Sequence, residues 1–155
     1  MKEVSSKFNL REDARLSLIK AGLELFGECG FKGASTRMIA DEAKVNISAI
    51  AYYFGGKQEL YYSVVEYILA QMIALSKELD FDLPKILDRE ISKEDSLLVM
   101  NQVVDVMMKI FVENEEPRKW CRIIMREQAN PTKAFDILYE GKIKKMQDLL
   151  ANFTI

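Results

Sequence analysis

The amino-acid sequence predicts an all-α fold of about eight helices, in which an N-terminal three-helix subdomain with a helix-turn-helix precedes a C-terminal helical bundle. Glycine and proline are scarce, at seven and three of 155 residues. Almost all of them separate stretches in which apolar residues recur at the spacing of a helix face. This length is typical of one domain, so we expect one body with at most two subdomains.

The first helix is predicted to begin at Asn9, a good N-cap that is followed three residues later by Glu12. It is predicted to stop before Gly30. Apolar residues at helical spacing give it one buried face, formed by Ala14, Leu18, Ala21, Leu25 and Phe26.

Two short helices are predicted next. Ser35 can cap a helix of about two turns that ends at Ala43. A turn over residues 44–46 follows, and Asn46 can cap a third helix that runs to Tyr53. Both helices can close against the first helix through a small apolar core, formed by Ile39, Ala40, Ala43, Val45, Ile50 and Phe54.

The rest of the chain is predicted to form longer helices. Gly55-Gly56 breaks the chain before a helix from about Lys57 to Leu79, which at 1.5 Å per residue reaches roughly 35 Å. Pro117 and Pro131 suit the first turns of later helices. These are predicted over residues 84–90, 94–112, 117–129 and 131–152. We therefore divide the chain into an N-terminal domain with the helix-turn-helix, residues 1–56, and a C-terminal helical domain, residues 57–155.

The composition limits the chemistry. The sequence has no histidine, which excludes His-assisted nucleophiles and His-ligated zinc, and its two cysteines are too few for a disulfide framework. We expect no metal and no cofactor. An enzyme built on paired carboxylates, such as Glu66 with Asp105, is the least favoured hypothesis. No signal region or membrane-spanning stretch is visible, so we expect a cytoplasmic protein without a membrane partner.

The helix-turn-helix carries the candidate binding surface. Residues 1–57 hold nine basic and seven acidic side chains, whereas residues 58–155 hold thirteen and seventeen, so a polyanion would meet the front of the molecule. Thr36 and Arg37 begin the second helix and Lys57 begins the fourth, where free backbone N–H groups favour a phosphate. Short or polar groups of the third helix can lie against a major groove: Ile47, Ser48, Ala49 and Tyr52.

Residues 10–60 resemble the DNA-binding domain of TetR-family transcriptional repressors. The resemblance rests on Phe26, Gly30-Phe31, Gly33-Ala34-Ser35-Thr36, Ile39-Ala40, Glu42-Ala43, Val45, Tyr53-Phe54 and Lys57-Gln58-Glu59-Leu60. It implies a homodimer that binds a palindromic double-stranded DNA operator and is released by a small-molecule effector. In this reading residues 1–56 form the DNA-binding domain and residues 57–155 the ligand-binding and dimerisation domain. It also implies DNA contact by Thr36, Asn46, Ser48, Ala49, Tyr52, Tyr53 and Lys57. Tyr53 can instead pack beside Phe54.

A looser resemblance to the ligand domain of a CecR-like subgroup rests on Arg126-Glu127-Gln128, Pro131-Thr132 and Ala134-Phe135. Two departures from the family pattern stand out. Ala51 occupies a position where many members have tyrosine or asparagine, so one phosphate contact is missing. Family members are also commonly longer, so we expect either a chain truncated at its C-terminus or a dimer that is built differently.

Methionine and aromatic residues are concentrated in the C-terminal part. They can line a pocket for an apolar effector, since thioether chains adapt to irregular gaps, or they can simply fill the core. The candidate pocket residues are Tyr67, Gln71, Met72, Met107, Met108, Phe111, Trp120 and Met125. Arg122 and Arg126 can anchor an anionic ligand or form a surface network with Glu127 or Asp105.

Two functions therefore remain open. The favoured one is a ligand-responsive repressor. The alternative is a helical interaction protein that keeps this fold but has lost operator binding, which the departure at Ala51 and the chain length would explain.

Overall fold

The structure, a computed structural model, describes residues 2–78, 98, 101–102, 104–106, 108, 112 and 114–140. The continuous stretches form six helices: α1 (Lys2–Gly33), α2 (Thr36–Glu42), α3 (Ser48–Phe54), α4 (Lys57–Glu78), α5 (Glu115–Ala129) and α6 (Lys133–Leu138). The described positions from 98 to 112 are helical too, within the predicted helix over 94–112. The predicted helix over 84–90 lies outside the described residues. The all-α prediction is confirmed.

The first helix differs from its prediction at both ends. It already begins at Lys2, so the predicted start at Asn9 is wrong: no glycine or proline precedes Gly22, and nothing in the local chain stops the helix from extending. Regular helical geometry breaks at Gly30, where φ is 71° and ψ is 174°, yet helical backbone resumes until Gly33. The predicted stop therefore marks a kink within α1.

The later boundaries follow their predictions with small shifts. Pro117 lies in the first turn of α5, as predicted, although the helix begins two residues earlier at Glu115. Pro131 lies outside α6, so that prediction is wrong. Thr132 caps α6 instead, because its side chain accepts a hydrogen bond from the backbone N–H of Ala134.

One continuous apolar core joins all six helices. Leu18 and Phe26 of α1 pack with Val64 and Ile68 of α4, and all four are at most 1% exposed. Gly22 allows the two helices to approach closely, since a Cβ at this position would lie 2.9 Å from Cγ2 of Val64. The C-terminal helices add Trp120 and Ile123 from α5 and Ala134 and Leu138 from α6. Helix α4 thus connects the N-terminal helices to the rest of the described chain.

Candidate nucleic-acid interface

Helices α2 and α3 form a helix-turn-helix whose turn is closed by local hydrogen bonds. The Ser35 hydroxyl caps α2 by accepting from the Met38 N–H at 3.2 Å, as predicted. Lys44 has a positive φ of 56°, and its N–H donates to the Asp41 carbonyl at 3.1 Å. Asn46 lies one residue before the N-cap position of α3, which is Ile47. Its Oδ1 accepts a hydrogen bond from the N–H of Ser48 at 2.9 Å.

The two short helices are packed on α1 by the predicted small core. Ile39, Ala40 and Ile50 are at most 2% exposed, and Phe54 is 8% exposed. The Arg15 guanidinium of α1 lies 5.3 Å from the centroid of the Phe54 ring, a cation–π contact that closes this core on its outer side. The apolar sides of α2 and α3 are therefore used for packing, and their opposite sides are left outward.

The outward side of α3 presents the residues predicted to meet bases. Ile47 is 50% exposed, Tyr52 is 70% exposed, and Ser48 is exposed. Ala49 is half-buried and packs against the core, so it is less accessible than the sequence suggested. The Ser48 hydroxyl donates to Asn46 Oδ1 at 2.8 Å, which leaves its oxygen lone pairs for a donor on a base.

Two positively charged side chains flank α3. Arg37, at the start of α2, is exposed, and its neighbour Thr36 is half-buried. Lys57, at the start of α4, is half-buried, and its ammonium lies 4.6 Å from the centroid of the Phe31 ring. The contact between Lys57 and this ring was not predicted from the sequence. It supplies a reason within the protein for a cation at a helix N-terminus, beside the phosphate contact that was predicted.

Tyr53 takes the packing role that the sequence left open beside DNA contact. It is half-buried against the core, and its ring lies edge-on to Tyr52, with centroids 4.9 Å apart. Its centroid is 6.4 Å from that of Phe54. Tyr53 therefore supports the exposed Tyr52 ring from one side.

The predicted ligand pocket is only partly assembled. An open cleft of about 200 Å³ lies between α4 and the start of α5, and Gln71 and Trp120 line it among the predicted residues. The other residues that line it are Ala74, Leu75, Asn114, Glu116 and Pro117. Tyr67 and Met72 are half-buried on α4 and pack against the core.

The remaining pocket residues fall elsewhere. Met108 and Met125 are 58% and 68% exposed, and neither lines this cleft, so their place in an effector pocket stays a prediction. Met125 lies on the face of α5 opposite to its buried residues. Met107 and Phe111 lie outside the described residues.

Glu116 and Trp120 bring polar groups to the lining of the cleft. The Tyr67 hydroxyl donates to Glu116 at 3.0 Å, and burial together with this hydrogen bond raises the pKa of Tyr67 to about 12. The indole N–H of Trp120 is buried and has no acceptor within the described part of the chain. Because its pKa is raised, the hydroxyl of Tyr67 remains a proton donor at neutral pH.

The charged residues after Trp120 are used differently from the prediction. Arg126 pairs with neither Glu127 nor Asp105; its Nη2 donates to the carbonyl of Glu28 at 2.9 Å and to that of Gly27 at 3.3 Å. The predicted surface network is wrong for Arg126, because the end of α1 offers it free carbonyl groups. Arg122 is exposed.

Glu127 was predicted as a possible partner in a surface network, but it is buried, at 3% exposed. Its carboxylate accepts from the Tyr61 hydroxyl at 2.6 Å and from the N–H and hydroxyl of Thr132 at 3.0 Å and 2.8 Å. Burial and the hydrogen bond to this carboxylate raise the pKa of Tyr61 well above its usual range. The buried charge is thus held by three donors from α4 and the start of α6.

Within the described ranges, no three acidic or cysteine side chains come together as metal ligands. The helices described contain none that is long and apolar enough to cross a membrane. Glu66 and Asp105, the carboxylate pair of the least favoured hypothesis, are both exposed.

Comparison with known proteins gives matches over both halves of the chain. Residues 18–64 match the family model of bacterial regulatory proteins of the tetR family, and residues 98–153 match the C-terminal domain of the HTH-type transcriptional dual regulator CecR. The chain is 32% identical over 145 residues to CecR of Shigella flexneri, an alignment that covers 90% of this chain and 62% of that protein.

Two further proteins are similar. The HTH-type transcriptional repressor NicS of Pseudomonas putida is 38% identical over 69 residues, which are 44% of this chain and 32% of NicS. The chain therefore spans less than two thirds of the length of either curated relative. The crystal structure of HlyIIR, a hemolysin II transcriptional regulator, superposes with a TM-score of 0.56 at 26% identity and covers 91% of this chain and 73% of HlyIIR.

Proposed function

Because the chain belongs to the TetR family of bacterial regulatory proteins, we propose that it is a transcriptional repressor that binds a palindromic DNA operator as a homodimer. In this proposal a small-molecule effector binds the C-terminal helices and releases the DNA. The two relatives described above are named as transcriptional regulators, which agrees with a regulatory rather than a catalytic role.

One observation carries the proposal: the outward side of α3 is exposed while its inner side is buried in the core. Ser48 and Tyr52 face solvent on a helix that Ile50 and Phe54 anchor from behind. The exposed Tyr52 ring and the exposed Ser48 hydroxyl, both on the outward side of one short helix, are suited to contact with base edges in a major groove. Arg37 and Lys57 flank this helix, where phosphate contacts would set its orientation on the duplex.

The affinity would depend strongly on salt. With about six to ten phosphate contacts per dimer, the slope of log affinity against log salt is expected to be about −5 to −9. Two α3 helices in successive major grooves would require half-sites about 34 Å apart on one face of the DNA. An effector that couples to DNA binding by about 1–3 kcal/mol would lower the affinity about five- to 150-fold.

Selection of bound fragments from a random DNA pool tests recognition and assembly together. We expect a palindromic motif whose half-sites are separated by about one helical turn. Recovery of a single half-site would contradict the dimer. No enrichment, together with no gel shift on random duplexes at low salt, would contradict DNA binding and support the alternative, an interaction protein that has lost operator binding.

Substitutions on the proposed surface separate its two kinds of contact. Ser48→Ala is expected to change the selected motif, whereas Lys57→Ala is expected to weaken binding to all sequences alike and to reduce the salt slope by about one. If neither variant alters DNA binding, α3 and the start of α4 do not form the interface. A library of small molecules, screened for release of the selected duplex, tests the effector.

A further inference from the structure

The last turn of α5 contacts the end of α1 directly. Nη2 of Arg126 donates to the carbonyls of Gly27 and Glu28, which lie immediately before the kink of α1. Carbonyl groups at the end of a regular helical segment have no partner within that segment, and a cation there also complements the helix dipole. About two turns earlier on α5, Lys119 forms an ion pair with Glu24 of α1. The two helices are therefore joined along one side by two cations.

The Arg126 guanidinium also fits the kink itself. Gly30 combines φ of 71° with ψ of 174°, a backbone region that is essentially restricted to glycine. A Cβ at this position would lie only 2.6 Å from Nη1 of Arg126. The missing side chain of Gly30 thus leaves the space in which Nη1 of the exposed Arg126 side chain lies.

Phe31, the next residue, makes a cation–π contact with the Lys57 ammonium. The centroid of the Phe31 ring lies 6.0 Å from that of Phe26 and 5.2 Å from that of Tyr61. The Lys57 nitrogen lies 4.6 Å from the centroid of the Phe31 ring. Tyr61 in turn donates to Glu127, the neighbour of Arg126. The end of α5 therefore contacts both neighbours of the Phe31 ring, the backbone at Gly30 and the Tyr61 side chain, while the ring itself is 38% exposed.

We propose that Arg126 is a positioning residue for DNA binding, which acts at a distance by fixing the kink of α1 and with it the Phe31 ring that orients Lys57. The inference rests on the proposed function, in which Lys57 contacts a phosphate. Arg126 itself need not touch DNA. Because α5 also carries Glu116, Pro117 and Trp120, which line the cleft, an effector bound there can alter the same contact.

A double-mutant cycle tests the inference. Binding of a labelled duplex of random sequence is measured at about 0.1 M salt, where the Debye length is about 10 Å, for wild type, Lys57→Ala, Arg126→Ala and the double variant. We expect Arg126→Ala to weaken binding about fivefold, the lower end of usual couplings between sites. The double variant should bind no more weakly than Lys57→Ala alone, because both changes act on one phosphate contact.

Arg122→Ala is the matched control. It removes the same charge one turn earlier on α5, from an exposed side chain, and is expected to leave binding within about twofold of wild type, as for a distant surface charge. Thermal unfolding of every variant shows that the proteins compared are folded. If Arg126→Ala does not fold, Phe31→Leu replaces it in the cycle, since loss of the ring should likewise remove the contribution of Lys57.

The outcomes separate the inference from the function on which it rests. If wild type binds and Lys57→Ala weakens binding, but the effects of Lys57→Ala and Arg126→Ala add, Arg126 acts independently and the inference is overturned. The same holds if Arg126→Ala binds like wild type. If wild type does not bind, or Lys57→Ala has no effect, the proposed phosphate contact fails first, and the inference fails with it.

Discussion

The exposed side of α3 and the junction between α1, α4 and α5 hold their polar groups in opposite ways. On α3, Asn46 and Ser48 bond to each other across two positions, and the Tyr52 ring faces solvent. At the junction, Tyr61 and Glu127 are 66 positions apart in the chain and bond in the interior. The polar groups of the surface that is available to a partner are thus paired with close neighbours in the chain, whereas those of the junction are paired between distant segments.

This difference teaches where substitutions should act. Changes on the α3 side should alter what the protein binds and leave its stability almost unchanged, because surface side chains contribute little to folding. Changes at the junction should cost stability first, because they leave buried polar groups without partners.

The largest effect is expected from Glu127→Ala. The buried Tyr61 hydroxyl would lose its acceptor, and the exposed Thr132 would lose the carboxylate that its N–H and hydroxyl bind, so we expect a loss of about 2–4 kcal/mol in the free energy of unfolding. Urea denaturation measures it. Glu66→Ala, at an exposed glutamate of α4, is the control and should stay within about 0.5 kcal/mol of wild type. Equal losses in both variants would mean that the junction is not the more sensitive region.

The next largest effect is expected at the kink. Gly30→Ala should cost about 1–3 kcal/mol, because alanine rarely adopts this backbone conformation and its methyl group would displace Arg126. Gly56→Ala is a matched control: it has open space around its Cβ and should remain within about 1 kcal/mol of wild type. Denaturant unfolding of the pair would contradict the role of the kink if Gly30→Ala proved as stable as wild type.

A change on the α3 side should reverse the pattern. Tyr52→Ala is expected to shift the preferred DNA sequence by about 1–2 kcal/mol of discrimination while the stability changes by no more than about 0.5 kcal/mol. Competition between selected and altered duplexes measures the first quantity, and thermal unfolding the second. Met125→Ala removes an almost equally exposed side chain from α5 and should change neither. A large loss of stability in Tyr52→Ala would place this residue with the junction instead.

The smallest effect near neutral pH is expected at Tyr67, whose contribution to stability changes only in alkaline solution. The pKa of Tyr67 is about 12 in the folded protein, above the ordinary value near 10 that an unfolded chain has. The unfolded state therefore releases this proton first, and the stability that Tyr67 contributes, fully present below pH 10, is lost as the pH rises towards 12. Tyr67→Phe should show a shallower decline over this window in urea denaturation at several pH values. An unchanged decline would mean that the hydrogen bond to Glu116 does not persist in solution.

Local signals predicted the helix-turn-helix well. Ser35 caps α2, and Ile50 and Phe54 are buried as their spacing predicts. These features follow from periodicity and caps, which act over a few residues. The start of α1 was predicted less well, because Asn9 is a good cap that the chain does not use: helical residues precede it without a breaker.

Long-range contacts could not be predicted in the same way. The charges of Arg126 and Glu127 suggested a surface network, but one closes the end of α1 and the other lies in the interior. Similarly, nothing near Lys57 in the sequence indicates that its ammonium lies against Phe31, which is 26 positions away by residue number. The ligand pocket had the weakest basis, since methionines at helical spacing occur on exposed faces as well as in cores.

The sequence by itself determined the helical class, the helix-turn-helix and the outward position of Ser48 and Tyr52, because caps and apolar periodicity operate within one or two turns of helix. Only the tertiary structure decided the partners of Arg126 and Glu127 and the ring beneath Lys57. Those partners lie on helices far apart in the chain, and a charged side chain bonds to whichever free carbonyl or donor the packing brings within reach.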